Sequence, residues 1–235
     1  MNPESVPPSA ERRLPSPDGM WLTWQLADSA FPTGGFAHSW GLEAAWQTGE
    51  VPGADALRRF VRDSLTQAGR GGLPLLRAAH GDPARLRELD ALADVFLTNL
   101  VANRASRVQG RAFLTTCSRI WASEIAGLME ISASSLHGHA APLIGAALRA
   151  IGVPLDVAQR LLLFNTLRGI LAAAVRLGLV GSYDAQRLQV DCAPVLDDVL
   201  ERCAALDAAD LAQTAPILDL LQASHDRLYS RLFQS

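Results

Sequence analysis

The side chains best suited to chemistry lie close together near the start of the sequence. Asp28, His38, Ser39 and Glu43 supply the carboxylate, imidazole and hydroxyl groups that hydrolases use. Adjacent helix residues point about 100° apart, so His38 and Ser39 are poorly placed to share a hydrogen bond. One hypothesis is a metal-dependent or acid–base hydrolase that uses the Asp28, His38 and Glu43 region, and it requires those side chains to converge in the fold.

A glycine pair, Gly34-Gly35, follows Pro32 in the same stretch. Backbone N–H groups in front of a helix can bind an anion, but this stretch matches neither G-x-x-x-x-G-K-[ST] nor G-x-G-x-x-G. The structural interpretation is a tight corner between two helices. In that corner the glycines allow the backbone path, Ser39 caps the second helix and Glu43 favours its positive end.

Metal binding is weakly indicated. His137 and His139 could offer two imidazoles from one loop, but two ligands make a poor site, and such a pair is more often hydrated or satisfied in the core. Cys192 and Cys203 would be separated by about 16 Å along a helix, and Cys117 is expected in the core. We therefore expect no tightly bound cofactor, with His137 and His139 as weak metal candidates that a two-fold dimer could bring together.

Composition excludes several function classes. The 235 residues carry a net charge of −3, and all 21 basic residues are Arg. A Schiff-base lysine and a P-loop lysine are therefore ruled out, and no overall positive field attracts nucleic acid. The apolar run from Leu161 to Val180 is interrupted by Arg168 and Arg176, which a membrane span would place in hydrocarbon. With no apolar segment typical of a signal peptide in residues 1–18, these features predict a cytoplasmic protein without a membrane span.

The sequence predicts one all-α domain. Residues 1–18 contain five prolines and are expected to form a disordered leader, followed by a helical domain over residues 19–235. Apolar residues recur at helical spacing, and no alternating strand pattern or internal repeat is present. The prediction is a single-domain bundle of about ten helices, over approximately 20–27, 39–47, 55–68, 83–96, 102–129, 142–150, 154–177, 183–206 and 208–229.

The last residues of the sequence are unusually rich in the residue types of protein interfaces. They include Arg227, Tyr229, Arg231, Leu232 and Phe233, and Tyr and Arg dominate interface hot spots. Two interpretations stay open here. The segment either ends in a helix docked on the protein's own core, or it is an interaction tail that orders only when a partner covers it.

Several of these segments resemble one family. The stretches LADSAFPTGGFAHS (26–39) and GLEAA (41–45) are similar to the opening of the urease accessory protein UreF, and YSRLF (229–233) is similar to its closing segment. Between them, NRASR (103–107), HGH (137–139) and VRLG (175–178) fall in the expected order and spacing. The resemblance covers residues 20–235.

The resemblance implies a nonenzymatic, all-α, homodimeric chaperone of nickel insertion into urease. Such a protein bridges the accessory protein UreD (also called UreH) and the GTPase UreG, and the assembly docks on apo-urease. Nickel would be handed over by UreG and would at most be in transit through this chain. By the same resemblance, Asp28, Pro32, Gly34, Gly35, His38, Ser39 and Glu43 form a family motif, and the interface-type residues near the end of the sequence bind partners.

Overall fold

The computed structural model describes residues 19–132 and 136–235, so the predicted leader lies outside the described residues. This part of the chain is helical, with short 3₁₀ turns and no strand, which confirms the all-α prediction. The α-helices are α1 Met20–Ala27, α2 Leu42–Gln47, α3 Ala54–Gly71, α4 Leu73–Gly81, α5 Leu86–Phe96, α6 Leu100–Ile120, α7 Ala122–Ser132, α8 Ala140–Ala150, α9 Leu155–Arg176, α10 Ser182–Asp191, α11 Ala193–Cys203 and α12 Pro216–Ala223.

Helix α9 is the central element of the bundle. It packs against α1, α2, α3, α4, α8, α10 and α11. Its apolar residues cover most of its circumference rather than one stripe, as expected for a helix surrounded by others. Among the described residues, no helix combines the length and apolar character needed to cross a membrane.

The core has two clusters that meet along α9. One joins α1 and α4–α8 and includes Ala158 and Leu161 at the beginning of α9. The other joins α2, α3, α10 and α11 and includes most of the remaining buried residues of α9, together with Phe233. Cys117 is fully buried in the first cluster, as predicted, while Cys192 and Cys203 are buried, free thiols in the second.

Several helices differ from the prediction: α4 over Leu73–Gly81 was not predicted, and three of the expected helices are divided or shortened. The helix expected over 102–129 is two helices, because the backbone of Trp121 turns away from helical geometry while its ring enters the core. The helix expected over 183–206 breaks at Cys192, just before Pro194. The helix expected over 208–229 is reduced to α12, which begins at Pro216. Proline lacks the N–H of the helical ladder and favours a first-turn position.

A glycine allows the close approach of α4 and α8. A Cβ atom on Gly145 of α8 would lie 2.3 Å from the backbone oxygen of Leu76 in α4. Real Cβ atoms do not tolerate that distance, so the two helices can cross this closely only because residue 145 has no side chain.

Gly145→Ala is therefore expected to lower the free energy of unfolding by about 1–3 kcal/mol, because α4 and α8 must separate to admit the methyl group. The matched control is Gly127→Ala on the exposed side of α7, where a Cβ atom would meet nothing within 4 Å. That control is expected to raise stability by up to about 1 kcal/mol through helix propensity. Urea unfolding measures both, and equal stability of the two variants would contradict the packing argument.

Candidate functional site

The buried carboxylate of Glu43 joins the two ends of the fold. Glu43 lies in the first turn of α2 and is 1% exposed. Its Oε1 accepts a hydrogen bond from the backbone N–H of Leu232 at 2.6 Å, and its Oε2 accepts one from Phe233 N–H at 3.1 Å. The same Oε2 lies 3.0 Å from Nε2 of His225, which is fully buried. We call residues 225–235 the tail and residues 26–45 the motif segment.

The loop before α2 holds the other end of the tail. Ser39 donates from its N–H at 2.6 Å and from its hydroxyl at 3.0 Å to the backbone oxygen of Ser235. His38 Nδ1 lies 2.5 Å from Ser235 Oγ, and the N–H of Gln234 donates to the backbone oxygen of Ala37 at 2.8 Å. The motif segment therefore forms the surface that binds the tail.

This arrangement corrects the expected role of Ser39. Helix α2 begins at Leu42 rather than near residue 39, and its N-cap residue is Gly41, without a side-chain cap. The Ser39 hydroxyl is instead used by Ser235, with only a long contact of 3.4 Å from Glu43 N–H. Glu43 does lie in the first turn, as expected, but its carboxylate binds the tail.

The backbone conformation of Trp40 and Gly41 shapes this tail-binding surface. Gly41 has φ of 84°, and a Cβ atom there would approach Gln222 of α12 to 2.9 Å at its Cβ and 3.2 Å at its Cα. Glycine is thus required both by the left-handed conformation and by the close approach of α12. Trp40, immediately before it, also has a positive φ, of 54°. The loop reverses direction at these two residues and turns His38 and Ser39 toward the tail.

The first half of the motif segment makes local hydrogen bonds and one bond to α6. Asp28 ends α1, is exposed, and accepts a hydrogen bond from Ala30 N–H at 2.8 Å. The backbone oxygen of Pro32 accepts a 2.7 Å bond from the Thr116 hydroxyl of α6. Gly34 has φ of 72° and begins the 3₁₀ turn that contains Gly35.

Asp28, His38 and Glu43 have separate partners. The bonds of Asp28 are local, His38 binds Ser235, and both oxygens of Glu43 are engaged by the tail and His225. Their hydrogen bonds thus do not join them into an acid–base group, which the hydrolase hypothesis requires.

Ion pairs at the surface tie the tail to α6. Both guanidinium NH2 groups of Arg104 donate to the carboxylate of Asp226, with N···O distances of 2.8–3.1 Å. The guanidinium of Arg231 lies 3.3 Å from the same carboxylate. The hydrogen bond from Arg104 holds the pKa of Asp226 below its ordinary value. All three side chains are well exposed, so the pairs orient the tail more than they stabilise it.

Arg176 of α9 fills the space between motif segment and tail. Its guanidinium carbon lies 3.9 Å from the ring centre of Phe36 and 4.2 Å from that of Phe233, and NH1 donates to the backbone oxygen of Phe36 at 2.5 Å. A guanidinium between two aromatic rings gains cation–π attraction on both faces.

The tail residues predicted to bind partners divide into two groups. Phe233 is buried in the core, so its ring belongs to the protein's own packing. Arg227, Tyr229, Arg231 and Leu232 are exposed, and Tyr229 has essentially its full surface in solvent. The tail is docked on the protein itself, in an irregular conformation rather than as a helix, and it still presents an exposed ridge.

The histidine loop is built around two aspartates of α5. The buried carboxylate of Asp90 accepts hydrogen bonds from three consecutive backbone N–H groups, those of residues 137–139, at 2.5–3.2 Å. His139 is fully buried, with Nδ1 3.2 Å from Ser106 Oγ and Nε2 3.0 Å from Asp94. Burial lowers the pKa of His139 despite the nearby carboxylate.

His137 lies at the outer side of this loop, with Nδ1 3.6 Å from the same Asp94 oxygen. The structure therefore brings the two weak metal candidates near one carboxylate. Both ring nitrogens of His139 are already engaged by protein groups. Over residues 19–132 and 136–235, no three His, Cys, Asp or Glu side chains converge as a metal site.

Comparison with known proteins identifies the family. The UreF family profile matches residues 51–193. Urease accessory protein F of Arabidopsis thaliana is 38% identical over 222 residues, 92% of each chain. Its counterpart in Oryza sativa subsp. indica is 37% identical over 91% of this chain and 84% of the relative. UreF of Roseobacter denitrificans is 28% identical over 95% and 97%.

The chain belongs to the UreF family. The resemblance seen in the sequence is thereby confirmed, and these relatives are named as urease accessory proteins. The names of these relatives do not assign a role to any residue of the site.

Sequence reasoning missed several residues that build this site of the UreF-family chain. No role was predicted for His225 or Asp226, and Arg104, Arg176 and Phe36 were not connected to the tail. A signal did exist for one of them. A glutamate beside apolar residues on a short helix needs buried donors, so Glu43 could be expected to have partners elsewhere in the chain, although the sequence does not say which.

Glu43→Gln is expected to loosen the tail, because the neutral amide offers one acceptor oxygen where the carboxylate offers two. The backbone N–H groups of Leu232 and Phe233 should exchange with solvent at least tenfold faster. An unsatisfied buried donor should also reduce the free energy of unfolding by about 1–3 kcal/mol. Hydrogen exchange and urea unfolding measure the two effects. Glu50→Gln, at an exposed glutamate just after α2, is the control; unchanged protection of the tail in Glu43→Gln would exclude the proposed anchor.

Stability should also depend on the protonation of His38. Burial lowers the pKa of His38 from 6.5 to about 4, with smaller electrostatic contributions from the nearby Arg104 and His225. The unfolded chain therefore binds the proton first as the pH falls, and stability is lost between about pH 6.5 and pH 4. The loss attributable to His38 should be about 3 kcal/mol. Urea unfolding across this range should give a shallower pH dependence for His38→Gln, and parallel curves would refute the assignment.

Proposed function

We propose that this UreF-family chain is an adaptor in urease maturation that bridges UreD (UreH) and the GTPase UreG on apo-urease. In this role it supplies a folded surface and makes or breaks no covalent bond. Nickel is the cargo of the assembly, delivered by UreG, rather than a resident cofactor of this chain. A homodimer working in the cytoplasm completes the proposal, on the basis of the family resemblance.

The observation that supports the adaptor role best is the exposed ridge on a fixed backbone. The Glu43 carboxylate holds the N–H groups of Leu232 and Phe233, while the side chains of Tyr229, Arg231 and Leu232 project outward. Aromatic and Arg side chains are the main anchors of protein interfaces. A ridge that is already ordered loses less conformational entropy when a partner binds.

The ridge continues onto Phe36 of the motif segment and Trp46 of α2. Both side chains are exposed beside the tail contacts of Arg176 and Gln47, and Gln47 donates to the backbone oxygen of Ser230 at 2.9 Å. The proposed UreD surface thus combines apolar side chains from both motifs with the positive charge of Arg231. This is the reason to assign the tail side, rather than the histidine loop, to UreD.

Capture of UreD should test this assignment. The double variant Tyr229→Ala/Arg231→Ala removes two exposed side chains without touching Phe233 or the bonds to Glu43. It should remain folded yet retain at least tenfold less UreD when the tagged chain is co-expressed with UreD, UreG and apo-urease. Nickel content and activity of the urease should fall in parallel.

The matched control is Tyr183→Ala/Arg187→Ala on α10, where a Tyr and an Arg are similarly exposed. Full capture of UreD by the tail variant, or an equal loss in the α10 control, would overturn the assignment. Point substitutions are preferable to deleting 227–235, since that deletion would also remove the buried Phe233 and Ser235.

A further inference from the structure

Helix α6 has a long exposed face on the side away from α8 and the histidine loop. Exposed positions follow one another at intervals of three or four residues, so they share one side of the helix. They are Arg104, Val108, Arg111, Thr115 and Arg119. At a rise of about 1.5 Å per residue, this face is about 22 Å long. The intervals are close to the spacing with which two helices pack side by side.

Positive charge dominates this face. Arg104 is paired with Asp226 of the tail. Arg111 and Arg119 have no carboxylate within ion-pair distance in the part of the chain that the structure describes, and the side chain of Arg119 makes no hydrogen bond there. Two guanidinium groups are therefore available to carboxylates of another molecule.

The guanidinium of Arg111 is held in place while its charge stays uncancelled. Arg111 donates to the backbone oxygen of His137 at 2.8 Å, and Arg107 donates to the same oxygen at 3.3 Å. A Cβ atom on Gly138 would lie 2.8 Å from Cγ of Arg111, so the stem of this arginine passes directly over residue 138. A carbonyl oxygen is neutral, so these contacts order the side chain without neutralising it. An ordered side chain loses less entropy when a partner binds.

These charges favour an acidic protein segment over nucleic acid or an anionic membrane. The chain as a whole carries a net charge of −3, so its overall field does not attract a large polyanion. A short acidic segment senses mainly the charges within about 8–10 Å, and on this face those are mostly arginines. A second copy of this chain, placed on the face by a two-fold axis, would bring arginine against arginine, which is unfavourable.

We propose that the exposed face of α6 binds a helical segment of a partner protein that carries Asp or Glu along one side. Carboxylates of that segment accept charge-assisted hydrogen bonds from Arg111 and Arg119. Its small apolar side chains pack against Val108 and Thr115. The face begins beside the tail at Arg104, but it consists of α6 side chains and can be tested without UreD, UreG or urease. The proposal therefore does not rest on the adaptor function.

Fluorescence polarisation with a labelled 20-residue peptide tests this proposal on the full chain. The peptide is an alanine-rich helix with Glu at every third or fourth position, and its matched control has Gln at those positions. The Glu peptide should bind at least tenfold more tightly than the Gln peptide, and about 0.5 M salt should weaken its binding. Arg111→Glu/Arg119→Glu should weaken binding of the Glu peptide at least tenfold. The control Arg58→Glu/Arg62→Glu makes the same change of charge at exposed positions of α3 and should stay within threefold of the unaltered chain.

Arg119→Glu alone keeps the proposal testable if the double variant fails to fold, because the Arg119 side chain has no hydrogen bond to break in the described chain. It should weaken binding of the Glu peptide at least threefold. Equal binding of the Glu and Gln peptides would overturn the proposal, as would an equal loss in the α3 control. Tighter binding of an RNA dodecamer than of the Glu peptide would assign the face to nucleic acid instead. A dimer of the unaltered chain that dissociates in the double variant would assign it to a second copy.

Discussion

A carboxylate that is buried away from water must find hydrogen-bond donors within the protein, and much of this structure follows from how Glu43 finds them. Its donors are two consecutive backbone N–H groups and a histidine that lie 182 to 190 residues further along the chain. Leaving any of these groups unpaired in the interior would be costly, so the motif segment and the tail stabilise each other's positions. Two segments far apart in the sequence thereby become one surface.

In the tail, the residues that pack into the core are different from the residues that are exposed to a partner. Successive residues of the tail point in different directions, so Phe233 packs into the core beside Arg176 while Leu232 and Tyr229 remain exposed. The backbone between them is fixed by Glu43 rather than by the exposed side chains. The exposed side chains can therefore contact a partner without loss of the core contact of Phe233, as expected of a preorganised interface.

Much of the fold could be predicted from the sequence, since helical periodicity is a local property. The prediction of α1 over 20–27 agrees with the structure, and the apolar character of α9 correctly indicated a buried helix. The helix breaks at Trp121 and Cys192 were not predicted. The first depends on burial of the Trp121 ring, and the second on Pro194, which lies in the first turn of the next helix. The site was less predictable. Glu43 could be singled out by its motif, but its partners are set by tertiary packing that no local pattern records.

The motif segment has two sides, and His38 belongs to both. Its Nδ1 contacts the Ser235 hydroxyl. The residue also lines an internal cavity between the motif segment and helices α3, α6, α9 and α12, and its Nε2 has no protein partner there. A neutral imidazole carries one proton, so the two nitrogens cannot be donors together. If the Ser235 hydroxyl donates to Nδ1, the proton lies on Nε2, and the ring presents a donor on the cavity side. With that tautomer the ring offers a donor to the cavity without the charge that burial opposes.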